Sequence, residues 1–297
     1  MSVPAREPAT AARPAPRSLR AAGGRPRDPG GGPSRRYGPG TAVTVRVIAA
    51  VVILALWQFT ASAFAPAYIP RPSRTLAHIP AVLGDQQFLS GTASTLLAVL
   101  EGLVIAAVIG TAAGLVMGRL RDVDRLLRLY VNSFYAMPIV ALVPLLTVWF
   151  GYTPTARLAI IVIEATLPIV FNVAEGVRAA SAGDGQGGYE DVARAFRAPW
   201  WRVWTGVALP ACLPSLLAGL DLAIGRALIG AVVAEFIAGL NGIGYYILFN
   251  VRSFHQDDAL VAVGVLVAFA LLLRALINLA VRRGLPWYQP SVRGEQA

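Results

Sequence analysis

A chain of 297 residues with 56% hydrophobic and 14% charged residues and a mean hydropathy of +0.60 falls far below the roughly 25% charged content of soluble domains, and so reads as a membrane protein. Its formal charge of +10 is carried by 26 basic residues that are all Arg; in a soluble chain this would invite a nucleic-acid reading, but their placement argues for topology instead. One cysteine, Cys212, rules out an intrachain disulfide and a multi-cysteine metal site, and two histidines, His78 and His255, offer no metal-enzyme constellation.

Nine arginines (Arg6, Arg13, Arg17, Arg20, Arg25, Arg27, Arg35, Arg36 and Arg46) precede the first long apolar run, in a stretch dense in Pro, Gly and Ala. Such a composition cannot bury enough surface to fold, so residues 1–45 read as a disordered cytoplasmic tail. Val47–Pro66 follows. Its 20 residues exceed the roughly 7 to 15 of a signal-peptide core and, at 1.5 Å each, cover about 30 Å, so it reads as a retained transmembrane helix. Residues 46–90 then hold this helix and an external linker.

Five more apolar stretches lie at Thr92–Gly118, Leu129–Phe150, Leu158–Val177, Val207–Phe236 and Ala259–Val281. With the N-terminus in the cytosol, eleven arginines fall inside: Arg119, Arg121, Arg125, Arg128, Arg178, Arg194, Arg197, Arg202, Arg282, Arg283 and Arg293. Four fall outside: Arg71, Arg74, Arg157 and Arg252. The bias places both termini in the cytoplasm and makes the loop after the fourth span cytoplasmic. The fold class is an all-α membrane protein of about six transmembrane helices, with a core at 91–284 and a C-terminal cytoplasmic tail at 285–297.

In the second span Gly102, Ala106, Gly110, Gly114 and Gly118 recur every four residues, a stripe that lets another helix approach closely. Pro138, Pro144 and Pro168 are expected to break backbone hydrogen bonding within the membrane, which is tolerated only against protein or a wet cavity. Gly239, Gly242 and Gly244 superficially resemble a phosphate-binding fingerprint, but with no strand before them they read as a flexible loop.

Between the fourth and fifth spans the chain runs SAGDGQGGYEDVARAFRAPWWRVWTGVALP from Ser181. Tyr189, Val192, Ala193, Phe196 and Trp200 recur at helical intervals, with Glu190, Arg194 and Arg197 on another face, predicting a short amphipathic helix within a coupling loop at 181–205. Such a helix suits either a lipid surface or a partner's groove.

This loop resembles the signature loop of permeases from binding-protein-dependent ABC importers: Glu-Ala-Ala, three residues, Gly, nine residues, Ile, one residue, Leu-Pro. Asp191, Val192 and Ala193 take the first three places, Arg197 the Gly place, Val207 the Ile place, and Leu209 and Pro210 the last two. From about Tyr68 to Trp287 the chain also resembles the nitrate, sulfonate and taurine branch, through IPRPS at Ile69, MPIVALVPLLTVWFGY at Met137, LPACLPSLLAGL at Leu209, VVAEF at Val232 and RRGLPW at Arg282. The resemblance implies the type I ABC importer permease fold and a transport subunit that performs no bond chemistry. It implies a second permease copy, in a homodimer, two cytosolic ATPases carrying ATP and Mg, an extracytoplasmic substrate-binding protein and a bacterial inner or plasma membrane location. No cofactor, metal, catalytic residue or nucleic acid belongs to this chain in that reading.

The coupling residues expected on this basis are Glu190, Asp191, Val192, Ala193, Arg194, Phe196, Arg197, Leu209 and Pro210, with Phe196 as an apolar knob in the ATPase groove. Gly in the Arg197 place would permit a left-handed turn, which Arg adopts only at about 1 kcal/mol or more; Pro199 offers a way to move the break two residues along. Within the spans Glu101, Glu164, Asp221, Arg226, Glu235 and Arg274 must face protein or water, because an isolated charge at the bilayer centre costs about 2.5 to 3.5 kcal/mol. Asp221 and Arg226 stand about 140° apart on a helix and do not pair with each other. Translocation-pathway candidates are Met137, Glu164, Asn172, Arg226 and Glu235, Arg226 as an attraction for an anion. The expected solute is a sulfonate, taurine or nitrate. A thiamine-precursor pyrimidine is the alternative, and a stand-alone proton-coupled carrier using Glu101 and Glu164 is a mechanistic rival.

Overall fold

The computed structural model describes residues 39–63, 69–182, 195–197, 199–203, 206 and 209–284. Ten helices occur among them: α1 Pro39–Ala63, α2 Pro72–Gly84, α3 Gln86–Arg119, α4 Arg121–Ala136, α5 Val143–Phe150, α6 Pro154–Ala182, α7 Trp200–Val203, α8 Leu209–Ala238, α9 Ile243–Arg252 and α10 Gln256–Gly284, with one 3₁₀ turn at Ile139–Leu142. Two units divide the chain, Met1–Val51 and Val52–Ala297. In the first, the opening half of α1 exposes Val43, Val45, Val47, Ile48 and Val51 together with Arg46, a mainly apolar surface suited to lipid with one charge near its start. The second holds the bundle. Positions 183–194 of the expected coupling loop, and both expected tails except 39–45, lie outside the described residues.

Five helices are long and apolar enough to cross a membrane, in α1, α3, α6, α8 and α10; a sixth crossing results if α4 and α5 count as one broken span. That third stretch is not the continuous helix its hydropathy suggests. Asp122–Ala136 and Ile139–Phe150 meet at 84°. Pro138 disfavours a helical residue before it, and Met137 is accordingly extended at ψ 134. The other two prolines do not interrupt their helices: Pro144 sits in the first turn of α5, where a missing N–H is harmless, and Pro168 lies inside a continuous α6, at the loss of one backbone hydrogen bond.

The core is built where α3, α6 and α8 meet, around Val99, Leu103, Ile161, Ile169, Val173, Val177, Ala223 and Ala227. The small-residue stripe explains how α3 approaches. A Cβ placed on Gly110, Gly114 or Gly118 would lie 2.8, 2.7 or 2.6 Å from the Cβ of Ile169, Val173 or Val177, so glycine every four residues on α3 receives a β-branched ridge every four residues on α6. In lipid, where apolar burial gives helices little reason to associate, this interlocking is what holds them together.

Two helices were not foreseen, α2 and α9, both too short and too mixed in polarity to register as spans. They form a second core with the start of α10, where Val82, Phe88, Ile243, Tyr246 and Ala262 pack and the Phe88 and Tyr246 rings meet edge-on at 5.0 Å. Polar contacts lock α2 to the first turn of α10: Thr75 donates to Asp257 at 3.1 Å and His78 Nδ1 lies 2.6 Å from Asp258. Burial, with Asp85 and Asp258 nearby, pushes the Tyr246 hydroxyl up to about 12, so it stays a neutral donor.

Candidate functional site

Within the spans, three of the four expected acids find arginines on other helices. Glu235 of α8 pairs with Arg157 of α6 at 3.0 Å, Glu164 of α6 with Arg226 of α8 at 3.4 Å, and Asp221 of α8 with Arg274 of α10. Asp221 and Arg226 therefore take different partners, as their angular separation requires. Glu101 stands apart. It is exposed on the outward face of α3, beside Leu100, Val104 and Ile105.

The Glu164 pair lies near the middle of its helices and is asymmetric. Glu164 is 3% exposed while Arg226 is 43% exposed, so the anion is sheltered and the cation is left partly uncovered. The Arg226 guanidinium also sits 5.5 Å from the centroid of the Tyr135 ring, a cation–π distance, and Tyr135 packs on Phe171 at 5.4 Å. Tyr135 comes from the last turn of α4, one residue before Ala136 and beside the bend that contains Met137. Four elements thus converge: α4 with Tyr135, the bend with Met137, α6 with Glu164 and Phe171, and α8 with Arg226. Asn172 lies on the neighbouring face of α6, where its side-chain amide donates to the Pro168 carbonyl at 2.8 Å and its Cβ lies against Gly219 of α8. Tyr135 and Phe171 were missed from sequence because an aromatic at helical spacing in an apolar run looks like any other lipid-facing or core residue.

Glu235, expected on a pathway, is instead sealed, with 0% exposure. Its carboxylate accepts from Thr95 Oγ1 at 2.7 Å, from Arg157 at 3.0 Å and from the Gly244 backbone N–H at 2.7 Å. Arg157, read from sequence as an external loop charge, is 5% exposed and also donates to Ser94 Oγ at 3.1 Å. The reading of Gly242 and Gly244 as flexible loop is corrected by the same contacts. Gly242 caps α9, and a Cβ on it would fall inside the Glu235 carboxylate. The glycines let backbone N–H groups at the start of α9 close directly over an anion, which the helix end favours.

Of the expected coupling residues, Glu190, Asp191, Val192, Ala193 and Arg194 lie outside the described residues. Phe196 is 83% exposed, and Leu209 and Pro210 open α8. Arg197 has φ 51. The left-handed residue therefore sits at the place where glycine is the norm, and Pro199 does not displace it. Pro199 has a separate task, accepting from Arg202 N–H at 2.9 Å to start α7.

Residues 88–294 match the binding-protein-dependent transport system inner membrane component family. The chain belongs to that family. This permease is 26% identical to the taurine transport system permease protein TauC of Escherichia coli, over 83% of this chain and 90% of that one. It is 29% identical to the nitrate import permease protein NrtB of Leptolyngbya laminosa, over 86% and 94%, and 33% identical to the bicarbonate transport system permease protein CmpB of Synechococcus elongatus, over 61% and 64%. A solved structure titled as an amino acid ABC transporter with histidines shares its fold at a TM-score of 0.54 and 16% identity, covering 66% of this chain and 94% of that one. The permease is thus the membrane component of an ABC importer, in which ATP is hydrolysed by a separate subunit. That assignment removes the stand-alone carrier.

Proposed function

We propose that this permease imports a small anion and that Arg226 is the residue the anion meets in mid-membrane. The observation that carries the reading is the imbalance at that site, where one long contact from a sheltered carboxylate leaves the guanidinium half exposed. A charge at that depth is costly, and an arriving sulfonate, nitrate or carboxylate would form with it the charge-assisted hydrogen bonds that Glu164 supplies only weakly. The names of the taurine, nitrate and bicarbonate relatives favour the same class. Met137, Glu164 and Asn172 line the route in this reading, while Glu235 holds the bundle together.

The loop at 181–205 receives the ATPase, with Glu190, Asp191, Val192, Ala193, Arg194, Phe196 and Arg197 in the docking segment and Leu209 and Pro210 where motion enters α8. The 83% exposure of Phe196 is compatible with an apolar knob that enters a groove on the ATPase. Two copies of the chain, two ATPases and an external binding protein complete the importer, with both termini cytoplasmic. A cysteine at Ser181, in a Cys212→Ser background, then reacts with an impermeant maleimide only after the membrane is opened.

The deciding experiment is uptake into proteoliposomes holding the permease, its ATPase and its binding protein. Sulfonate, nitrate or bicarbonate should be taken up, with the half-saturation raised in Arg226→Gln. Uptake of a neutral formylaminopyrimidine instead, indifferent to Arg226→Gln, would overturn the anion reading and favour the class named for the relative ThiX of Halalkalibacterium halodurans, 25% identical over 80% of this chain.

A further inference from the structure

Arg178 lies one turn before Ala182, the last described residue of α6 and the point from which the coupling loop departs. Its guanidinium joins two acids on different helices, Asp124 of α4 at 2.6 Å and Glu175 of its own helix at 2.7 Å. Arg128 closes the ring, meeting Asp124 at 3.1 Å and Glu175 at 3.8 Å. Arg128 and Arg178 were read from sequence only as topogenic charges; here they tie α4 to α6.

The rest of the α4–α6 contact is small and apolar. Val123 and Val131 of α4 pack on Val170 and Ala174 of α6, while Leu126, Leu127, Leu129, Tyr130 and Phe134 of α4 are exposed, and the space left behind the ring is only about 10 Å³. Asp124, Arg128, Asn132 and Tyr135 fall at intervals of four, four and three, so one face of α4 runs from the ionic ring to the mid-membrane aromatic, about 16 Å at 1.5 Å per residue. Besides that apolar packing, α4 is held at two places by directional contacts. One is the ring beside the coupling loop, and the other is Tyr135, packed on Phe171 and beneath Arg226.

We propose that Arg178, with Asp124, Glu175 and Arg128, is the joint through which movement of the coupling loop is carried from α6 into α4, and so to Tyr135 at the mid-membrane site. This rests on the reading of the loop as the ATPase docking segment. Apolar contacts between two valines and a neighbouring helix have no preferred direction and can slide. A guanidinium held by short charge-assisted hydrogen bonds to an acid on each helix resists both pushing and pulling, and α4, a continuous helix, carries the displacement along its length. These are positioning residues, since none touches the Arg226 guanidinium.

The test uses the full importer in proteoliposomes, with Arg178→Gln, Asp124→Asn, their combination and Arg178→Lys, and a fluorophore on a cysteine at the exposed Leu129 in a Cys212→Ser background. Arg178→Gln should lower uptake per ATP hydrolysed at least fivefold and abolish the ATP-dependent fluorescence change at position 129, while the ATPase still co-purifies. The double variant should be no worse than the worse single, as expected for partners in one joint, and Arg178→Lys should recover part of the coupling. Asp124→Asn leaves Arg178 paired to Glu175 and keeps the test open if Arg178→Gln fails to assemble. An ATP-dependent signal that survives in both single variants, or uptake per ATP within twofold of the parent, would overturn the proposal. Loss of the co-purifying ATPase from a Phe196→Ala variant bears on the docking reading alone, which separates the two failures.

Discussion

The same two helices, α6 and α8, are joined by two arginine–glutamate pairs about two turns apart, with the charges exchanged. Near one end α6 supplies Arg157 and α8 supplies Glu235; in the middle α6 supplies Glu164 and α8 supplies Arg226. Arg157 and Glu235 are both buried, and Glu235 takes three donors while Arg157 reaches a third helix through Ser94. The mid-membrane pair makes one contact at 3.4 Å and leaves its cation exposed. A buried ion pair holds a structure together only when its remaining hydrogen-bonding capacity is met. The first pair meets that condition except at Arg157 Nε and is an anchor. The second falls further short, and a half-exposed cation with unused donors is available to something else.

The largest expected effect comes from breaking the anchor. Glu235→Ala leaves the Arg157 cation buried without its carboxylate, a loss of about 3–5 kcal/mol. The purified permease should unfold at markedly lower temperature in detergent or fail to accumulate. Survival of Glu235→Ala with unchanged melting would mean that the first pair is as loosely held as the second. Next is Gly242→Ala, whose methyl would displace the Glu235 carboxylate; overpacking of this kind costs about 1–3 kcal/mol. Thr95→Val should fall in a similar range of about 1–3 kcal/mol, because the hydroxyl both donates to Glu235 and accepts from the Ile243 N–H at 3.0 Å. Thermal unfolding of the three variants ranks them, and an order in which Thr95→Val exceeds Glu235→Ala would contradict the central place of the carboxylate.

Much of this was legible in the sequence, and what was not has physical reasons. Apolar runs and the four-residue glycine stripe marked the spans and the closely packed face of α3, since both signals are local. The bend at Met137 was half legible. Pro138 announced a break, but whether a proline kinks a helix or turns it by 84° depends on what packs on either side. The anchor was misread because Arg157 and Glu235 are 78 positions apart, and an arginine at the edge of a span looks topogenic until its partner is known. Gly242 and Gly244 signalled backbone freedom, yet their use is room for a carboxylate. Arg197 ran the other way. A glycine-like turn was expected to shift toward Pro199, and the backbone kept it at Arg197 with φ 51. The local cost of a side chain there was not enough to move the turn.

The smallest effect on stability, and the sharpest test of the contrast, is expected at the second pair. Arg226→Gln removes a half-exposed charge and keeps a donor for the buried Glu164 carboxylate, so unfolding should change by less than it does in Glu235→Ala, where the orphaned charge keeps no such partner. Uptake should respond far more. If the guanidinium binds the solute, its loss should raise the half-saturation concentration about tenfold, equivalent to about 1.4 kcal/mol. Glu164→Gln should move the half-saturation the other way, because a neutral amide competes less for Arg226 than a carboxylate does. Opposite shifts from the two halves of one ion pair, with melting lowered less in both than in Glu235→Ala, are what an exchangeable counter-ion produces and an anchor does not. Losses of stability in both variants as large as in Glu235→Ala would place the mid-membrane pair in the same class as Arg157 and Glu235.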